Sequence, residues 1–262
     1  MRQGLLLAAA LLLATPAWAD YRMGLDAAHK GDYAAAYKEW LPLGQQGDAR
    51  AQSNLGIMFA QGHGVTQNYA AAAAWFQKAV DQDYAPAEHN LAFMYAQGHG
   101  VLQNYGEAMR LYQLAAAQNY APSQYNIGFL YARGNGVHQD YGEAVSWFRR
   151  AADQGYALAQ YNLGRMYLDG RGVTTDTSVA AKWFKLAAEQ GDRDAQYQLG
   201  QLYATGNGVT ADPQQAYLWT TLAASLGHLD AQTAQASMAE TMAASDVEAA
   251  EMQAKEMRTK WQ

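Results

Sequence analysis

The sequence contains no cysteine, and this absence excludes several kinds of protein. Disulfide bonds cannot stabilise the fold, no lipidated cysteine can anchor the chain, and a cysteine nucleophile is not available for catalysis. Stability must therefore come from packing. Proline is also scarce, at five of 262 residues, while half of the residues are apolar. This composition favours closely packed short helices.

Basic residues and long hydrophobic runs are in short supply as well. Acidic residues outnumber lysine and arginine by 24 to 18, so the formal charge is −6. This balance argues against nucleic acid and anionic membrane surfaces as partners. Beyond the N-terminus no stretch approaches the ~18 apolar residues that suggest a membrane-spanning helix. We therefore expect no nucleic-acid partner and no membrane insertion.

The first 19 residues have the pattern of a secretory signal peptide. Arg2 supplies a short basic start, residues 5–14 form an apolar run, and Ala17-Trp18-Ala19 is a small-x-small cleavage site. We expect cleavage between Ala19 and Asp20. The mature protein is then periplasmic in a Gram-negative bacterium, with secretion from the cell as the alternative.

The dominant feature of the chain is a pattern that recurs every 36 residues. Each block opens with a Leu-Gly pair or its equivalent, places an aromatic residue four positions later, and continues with a Gly-x-Gly-Val turn. The opening pairs are Leu55-Gly56, Leu91-Ala92, Ile127-Gly128, Leu163-Gly164 and Leu199-Gly200. A fixed period of this size indicates stacked supersecondary units that bury their apolar faces against one another.

The pattern within each block predicts two helices. Ala51, Leu55 and Phe59 fall on one face of a first helix, and the following Gly-x-Gly ends it, because glycine readily adopts the left-handed conformation at a helix C-terminus. A second helix begins after an Asn or Asp that can accept a bond from free backbone N–H groups. These predicted caps are Asn68, Asn104, Asp140, Asp176 and Asp212. The residues that recur in the second helix are assigned to the core: Trp75, Leu111, Trp147, Trp183 and Trp219.

The spacing Ala-x-x-x-Leu-Gly-x-x-Tyr-x-x-Gly-x-Gly-Val, followed by Ala-x-x-Trp-Phe, resembles the Sel-like repeat family, a relative of the tetratricopeptide repeat. Residues 194–209 and 140–152 show it almost intact. The resemblance implies an all-α fold, a right-handed α-solenoid of stacked antiparallel helix pairs, that works as a protein–protein adaptor. Some cysteine-rich members were described as binding or hydrolysing β-lactams, and the lack of cysteine here argues against that activity.

The resulting domain plan has four parts. Residues 1–19 are the signal peptide, residues 20–47 a shortened helix pair, residues 48–228 five Sel-like repeats, and residues 229–262 C-terminal capping helices. Ser245 is expected to cap the last helix, because Ser-Asp-Val-Glu spells a capping box.

Motifs for catalysis, metals and cofactors are missing. The Gly-x-Gly turns follow no predicted strand and precede no Lys-Ser or Lys-Thr, so they are turns and not phosphate cradles. His63 and His99 lack further ligands at metal-binding spacing and are interpreted as exposed loop residues. There is no Gly-x-Ser-x-Gly and no His-Glu-x-x-His. We predict no catalytic residue, no metal, no cofactor and no enzyme activity.

A binding surface is predicted on the first helices, which line the concave groove in tetratricopeptide relatives. Residues two before and two after each Leu-Gly leucine should face this groove, beginning with Ser53 and Ile57. Aromatic and arginine side chains are typical of protein interfaces, although the tyrosines are also typical of the repeat and the phenylalanines could pack on a neighbouring unit. Asparagines before each Leu-Gly could grip an extended peptide, as the relatives imply, or bond between repeats. The predicted groove consists of His89, Asn90, Phe93, Tyr125, Asn126, Phe129, Arg133, Tyr161, Asn162 and Arg165.

The sequence thus predicts a monomeric, non-catalytic scaffold of the periplasm that binds another protein in its concave groove. It could be an envelope adaptor or regulator, or an immunity protein against a toxin delivered to the periplasm. The alternatives are a cell-wall or β-lactam-related hydrolase and a structural spacer.

Overall fold

The computed structural model describes residues 17–259, and their regular structure is entirely helical. Most of the predicted signal peptide, residues 1–16, lies outside the described residues. Short, mostly 13-residue helices follow one another with brief connections. They are α1 Ala17–His29, α2 Tyr33–Gln45, α3 Ala49–Gln61, α4 Tyr69–Val80, α5 Ala85–Gln97, α6 Tyr105–Ala117, α7 Ala121–Arg133, α8 Tyr141–Asp153, α9 Ala157–Asp169, α10 Thr177–Glu189, α11 Arg193–Thr205, α12 Pro213–Ser225, α13 Leu229–Thr241 and α14 Ala244–Thr259.

The chain forms two compact units, residues 1–103 and residues 104–262. In the first unit α1 packs on α2, α2 on α3, α3 on α4 and α4 on α5. In the second unit the helices from α6 to α13 likewise pack in chain order. This neighbour-to-neighbour packing of helix pairs confirms the predicted all-α solenoid.

The second helix of each repeat begins where the sequence predicted. Asp140 shows the geometry: its carboxylate accepts hydrogen bonds from the backbone N–H groups of Gly142 at 2.8 Å and Glu143 at 3.0 Å. Side chains of Asn68, Asn104, Asp176 and Asp212 accept equivalent bonds. Such a cap satisfies donors that have no partner inside the helix, and typically contributes about 1 kcal/mol.

The Gly-x-Gly turns end the first helices in the left-handed conformation, as predicted. Gly170, the C-terminal cap of α9, has φ +68°. The second glycine of the same turn, Gly172, also has positive φ, at +71°. It lies directly on the start of α8 in the preceding repeat, where an added Cβ would sit 2.3 Å from the carbonyl oxygen of Tyr141. This contact between repeats goes beyond what the turn pattern predicted.

The Trp-Phe pairs of the second helices show which of two neighbouring rings enters the core. The prediction for Trp147 was wrong: Phe148 is buried and Trp147 is only half-buried. Successive helical side chains point about 100° apart, so a single residue of the pair can face the first helix. The Arg150 guanidinium lies 4.3 Å from the Trp147 ring centroid. Trp75 and Trp183 are half-buried in the same way, whereas Leu111 and Trp219 are buried as predicted.

The last helix covers α12. Ala250 and Ala254 of α14 are buried in one cluster with Trp219, and the Tyr217 hydroxyl donates to the Glu251 carboxylate at 3.1 Å. The predicted capping box at Ser245 is wrong, because α14 begins one residue earlier. The N–H of Val247 donates to the carbonyl of Ala243, which closes the first turn before Ser245 can act as the cap.

Candidate functional site

The positions two before the Leu-Gly leucine are mostly covered by neighbouring helices, although Tyr161 also lines an open cavity. Ser53 is 2% exposed, so its predicted place in the groove is wrong. Tyr125 packs 5.6 Å from Phe148, and Tyr161 packs 5.8 Å from Phe184, both on the second helix of their own repeat. The reason is that a first helix such as α7 is covered by second helices on both sides, α6 and α8.

The positions two after the leucine are different, because they keep large apolar side chains in solvent. Phe93 is 46% exposed and Phe129 is 37% exposed. By contrast, the phenylalanines of the second helices are at most 2% exposed: Phe76, Phe148 and Phe184. Folding alone accounts for the buried rings but not for Phe93 and Phe129.

Beside Phe129 an open cavity of about 510 Å³ lies within the unit formed by residues 104–262. It brings together half of the predicted groove, and Phe148 and Met166, both buried, contribute apolar surface to its lining. The predicted residues in the lining are Phe129, Arg133, Tyr161, Asn162 and Arg165. We call this cavity the arginine pocket.

Electrostatics in the arginine pocket are dominated by guanidinium groups. Arg165 donates to the Tyr161 hydroxyl at 3.2 Å and to the Asp169 carboxylate at 3.3 Å. The hydrogen bond to Tyr161 is the largest effect that raises the pKa of Arg165, so this side chain stays charged. The Arg171 guanidinium lies 3.6 Å from the same Asp169 oxygen. Arg133 lies 5.2 Å from the Phe129 ring centroid and forms no ion pair with another described residue.

The sequence analysis missed Arg171, which occupies the middle of a Gly-x-Gly turn. The corresponding His99 stacks on Tyr69 at 4.8 Å between ring centroids, and the Arg171 guanidinium lies 6.0 Å from the Tyr141 ring. Each of these turn residues therefore reaches the first residue of the second helix in the preceding repeat. The signal was present in the sequence, because this middle residue varies between repeats while the glycines around it do not.

A second, smaller cavity of about 290 Å³ lies in the unit formed by residues 1–103. Phe93, Asn90 and His99 are part of its lining, with Tyr69 and Phe76. The lining contains no lysine, arginine or carboxylate. We call this cavity the aromatic pocket.

Three polar residues of the predicted groove are engaged within the fold, and one of them, Asn162, also lines the arginine pocket. Asn126 is hydrogen-bonded to Tyr112 of the preceding repeat, and Asn162 to Tyr125 of the preceding repeat. For these two asparagines the structure therefore shows a hydrogen bond between repeats, which was one of the two roles that the sequence left open. His89 is largely buried, and this burial lowers its pKa to about 4. It is therefore neutral at pH 7 and does not add a positive charge to the surface.

A row of buried glutamines, also missed in the sequence analysis, ties four of the five first helices of the repeats to the helix before them, and in α5 the equivalent residue is Glu88. The Gln160 amide donates to the carbonyl of Ala152 at 3.2 Å, and its oxygen accepts from Gln190 at 2.7 Å. Equivalent backbone bonds are made by Gln52, Gln124 and Gln196. These bonds satisfy the buried amide N–H groups, so the glutamines are structural residues, although the side-chain oxygen of Gln196 is buried without a partner among the described residues.

No arrangement suited to metal binding occurs among residues 17–259, where no three His, Asp or Glu side chains come together. In the same part of the chain no helix has both the length and the apolar character needed to cross a bilayer.

Comparison with protein-family models shows five consecutive matches to the Sel1 repeat, at residues 49–84, 85–120, 121–156, 157–192 and 193–228. The chain belongs to the Sel1 repeat family. The resemblance identified from the repeat spacing is thereby confirmed. A Sel1 repeat scaffold points to protein–protein interaction, and Sel1 repeat proteins are generally non-catalytic.

Solved structures of other proteins share the architecture. A Sel1 repeat protein from Oxalobacter formigenes has a TM-score of 0.79 and 29% sequence identity, over 90% of this chain and 99% of that one. Two immunity proteins from Pseudomonas aeruginosa have TM-scores of 0.55 and 0.56 at 22% and 21% identity, each over 80% of this chain and 81% of the other. At that identity the similarity concerns the fold. No curated protein matches the sequence.

Proposed function

We propose that this Sel1 repeat protein is a non-catalytic scaffold of the periplasm that binds a partner protein through exposed side chains of its first helices. The observation that carries the proposal is the exposure of Phe93 and Phe129 at repeat positions beside cavities. Removing one phenylalanine side chain from water contributes about 1.5–3 kcal/mol. Phe93 and Phe129 are 46% and 37% exposed, so a partner that covers either ring would gain roughly that share of this free energy.

The composition around Phe129 supports the same function. Interface residues that dominate binding are enriched in aromatic and arginine side chains that become desolvated in the complex. Phe129 lies beside Arg133, and Arg165 lines the same cavity. Each pocket belongs to a single unit of the chain, so each can be tested separately.

The test is capture of partners by the tagged protein from the periplasm of its source bacterium, followed by quantitative mass spectrometry. Phe93→Ala and Phe129→Ala are compared, one at a time, with the wild type. The matched control is Leu114→Ala with Leu186→Ala, which removes apolar side chains of similar exposure, 38% and 44%, from second helices. We expect a phenylalanine variant to lose the partner and the leucine variant to retain it. Equal retention by all variants would refute the proposal.

The periplasmic location rests on the signal-peptide pattern of residues 1–19. We expect the protein in the periplasmic fraction with an intact mass that starts at Asp20. A cytoplasmic protein that retains Met1 would contradict this part of the proposal.

Within this function, an immunity role is supported by the shared fold of the two Pseudomonas aeruginosa immunity proteins. The other role is an envelope adaptor or regulator. Deletion of the gene, followed by challenge with a neighbouring strain that delivers toxins, separates the two: sensitivity restored by the cloned gene supports immunity. Turnover of a reporter β-lactam above the buffer rate would instead favour the hydrolase, and an absence of any captured protein would favour the spacer.

A further inference from the structure

The arginine pocket has the opposite charge to the rest of the protein. Its charged lining residues are Arg133, Arg165, Arg171 and Asp169, a formal charge of +2. The whole chain carries −6. A local excess of positive charge in a cavity attracts an anionic group more strongly than the protein as a whole repels it, because charges beyond ~8 Å are screened at physiological ionic strength.

The single carboxylate of the pocket leaves most guanidinium donors uncommitted. One oxygen of Asp169 is shared between Arg165 at 3.3 Å and Arg171 at 3.6 Å. Both distances exceed the ~2.7–2.9 Å of a good charge-assisted hydrogen bond. A guanidinium has five N–H donors, and Arg133 pairs with no carboxylate of the described residues. Guanidinium N–H groups at the pocket are therefore available to donate hydrogen bonds to a carboxylate of a partner.

The rest of the lining includes apolar surface that suits an apolar group beside that carboxylate. The Phe129 ring is exposed at the pocket, and the buried side chains of Phe148 and Met166 contribute to its wall. The aromatic pocket of residues 1–103 offers similar rings without any arginine. The arginine pocket and the aromatic pocket thus differ in charge, and both have apolar side chains in their lining.

We propose that the arginine pocket selects its partner by an Asp or Glu side chain that lies next to an aromatic or aliphatic residue in the partner chain. This inference rests on the proposed function and names the chemistry of the partner at one of its contacts. The carboxylate pairs with Arg133 and with the free donors of Arg165 and Arg171, while the neighbouring apolar side chain packs on Phe129.

Fluorescent peptides test the proposal directly with the full mature protein. The probe is a short peptide with Phe between two Glu residues, acetylated and amidated at its ends so that no terminal carboxylate is present. The comparison peptide carries Gln in place of both Glu residues. We expect the acidic peptide to bind at least about tenfold more tightly by fluorescence anisotropy, and its affinity to fall as salt is raised.

Matched arginine variants locate the binding site. Arg133→Gln should weaken the acidic peptide at least about tenfold, the effect of losing one charge-assisted contact. Arg110→Gln removes the same charge from a guanidinium on α6 that is 54% exposed and bound to Glu107 at 2.6 Å, so it should leave affinity unchanged. Both variants should unfold at the wild-type temperature, since each changed side chain is exposed.

Three outcomes would overturn the proposal: equal binding of the two peptides, equal weakening by the two arginine variants, or no binding of the acidic peptide at millimolar concentration. The proposed function fails separately. If Phe129→Ala releases the captured partner and Arg133→Gln retains it, the scaffold function stands and the acidic preference is wrong. If neither phenylalanine variant releases a partner, the scaffold function itself is wrong.

Discussion

Two glycines with the same backbone conformation and different surroundings offer a direct measure of how tightly the repeats pack. Gly172 and Gly191 have φ of +71° and +88°. A Cβ on Gly191 would meet nothing within 4 Å. A Cβ on Gly172 would lie 2.3 Å from the carbonyl oxygen of Tyr141 and 2.8 Å from the backbone nitrogen of Gly142.

The expected magnitudes follow from these distances. Alanine at either position is held in the left-handed region, at a cost of about 1–2 kcal/mol. Only Gly172→Ala also pushes on backbone atoms of α8, which must retreat by about 1 Å to restore van der Waals contact. Overpacking of that kind costs about 1–3 kcal/mol. We therefore expect Gly191→Ala to lose about 1–2 kcal/mol and Gly172→Ala about 2–5 kcal/mol of unfolding free energy.

Urea unfolding followed by circular dichroism measures both variants against the wild type. The comparison uses transition midpoints and slopes together, because a repeat array can unfold in more than one step. Equal destabilisation by the two substitutions would show that Gly172 is needed only for its backbone conformation and that the contact with Tyr141 contributes no free energy.

Three other predictions address the core, acid stability and the C-terminal end. Phe148→Ala should lower the free energy of unfolding by about 3–5 kcal/mol, the usual cost for a buried phenylalanine. Trp147→Ala should lower it by clearly less. Equal losses of unfolding free energy in chemical unfolding would show that Trp147 belongs to the core. Burial lowers the pKa of His89 to about 4 from 6.5, so the unfolded state binds the proton first and stability is lost as pH falls from 6.5 to 4. The His89→Gln variant should lose about 3 kcal/mol less than the wild type between pH 7 and pH 4, and identical pH profiles would show that His89 titrates normally. Deletion of residues 244–262 should expose Trp219, shift its fluorescence to longer wavelength and lower the melting temperature, whereas an unchanged melting temperature would mean that α14 does not stabilise the fold.

Several features of the candidate site were beyond prediction from the sequence. The spacing placed Phe93 and Phe129 correctly on the exposed side of their helices, because a helix turns by a known angle per residue. It also placed Ser53 and Tyr125 on that surface, where neighbouring helices cover them. Asp169 was not predicted, although its ion pairs are local: Arg165 lies four residues before it on the same helix, and Arg171 lies two residues after it.

The sequence by itself determined the repeat period, the helix pairs, their aspartate and asparagine caps and the left-handed turns. All of these depend on interactions within a few residues, such as the bond from the Asp140 carboxylate to nearby N–H groups. Only the tertiary structure decided that Phe148 and not Trp147 enters the core, that Gly172 abuts Tyr141, and that guanidinium groups from α7, α9 and a turn share one cavity. Those outcomes depend on which face of a helix its neighbours cover, and the distances that settle them join residues of different helices or turns.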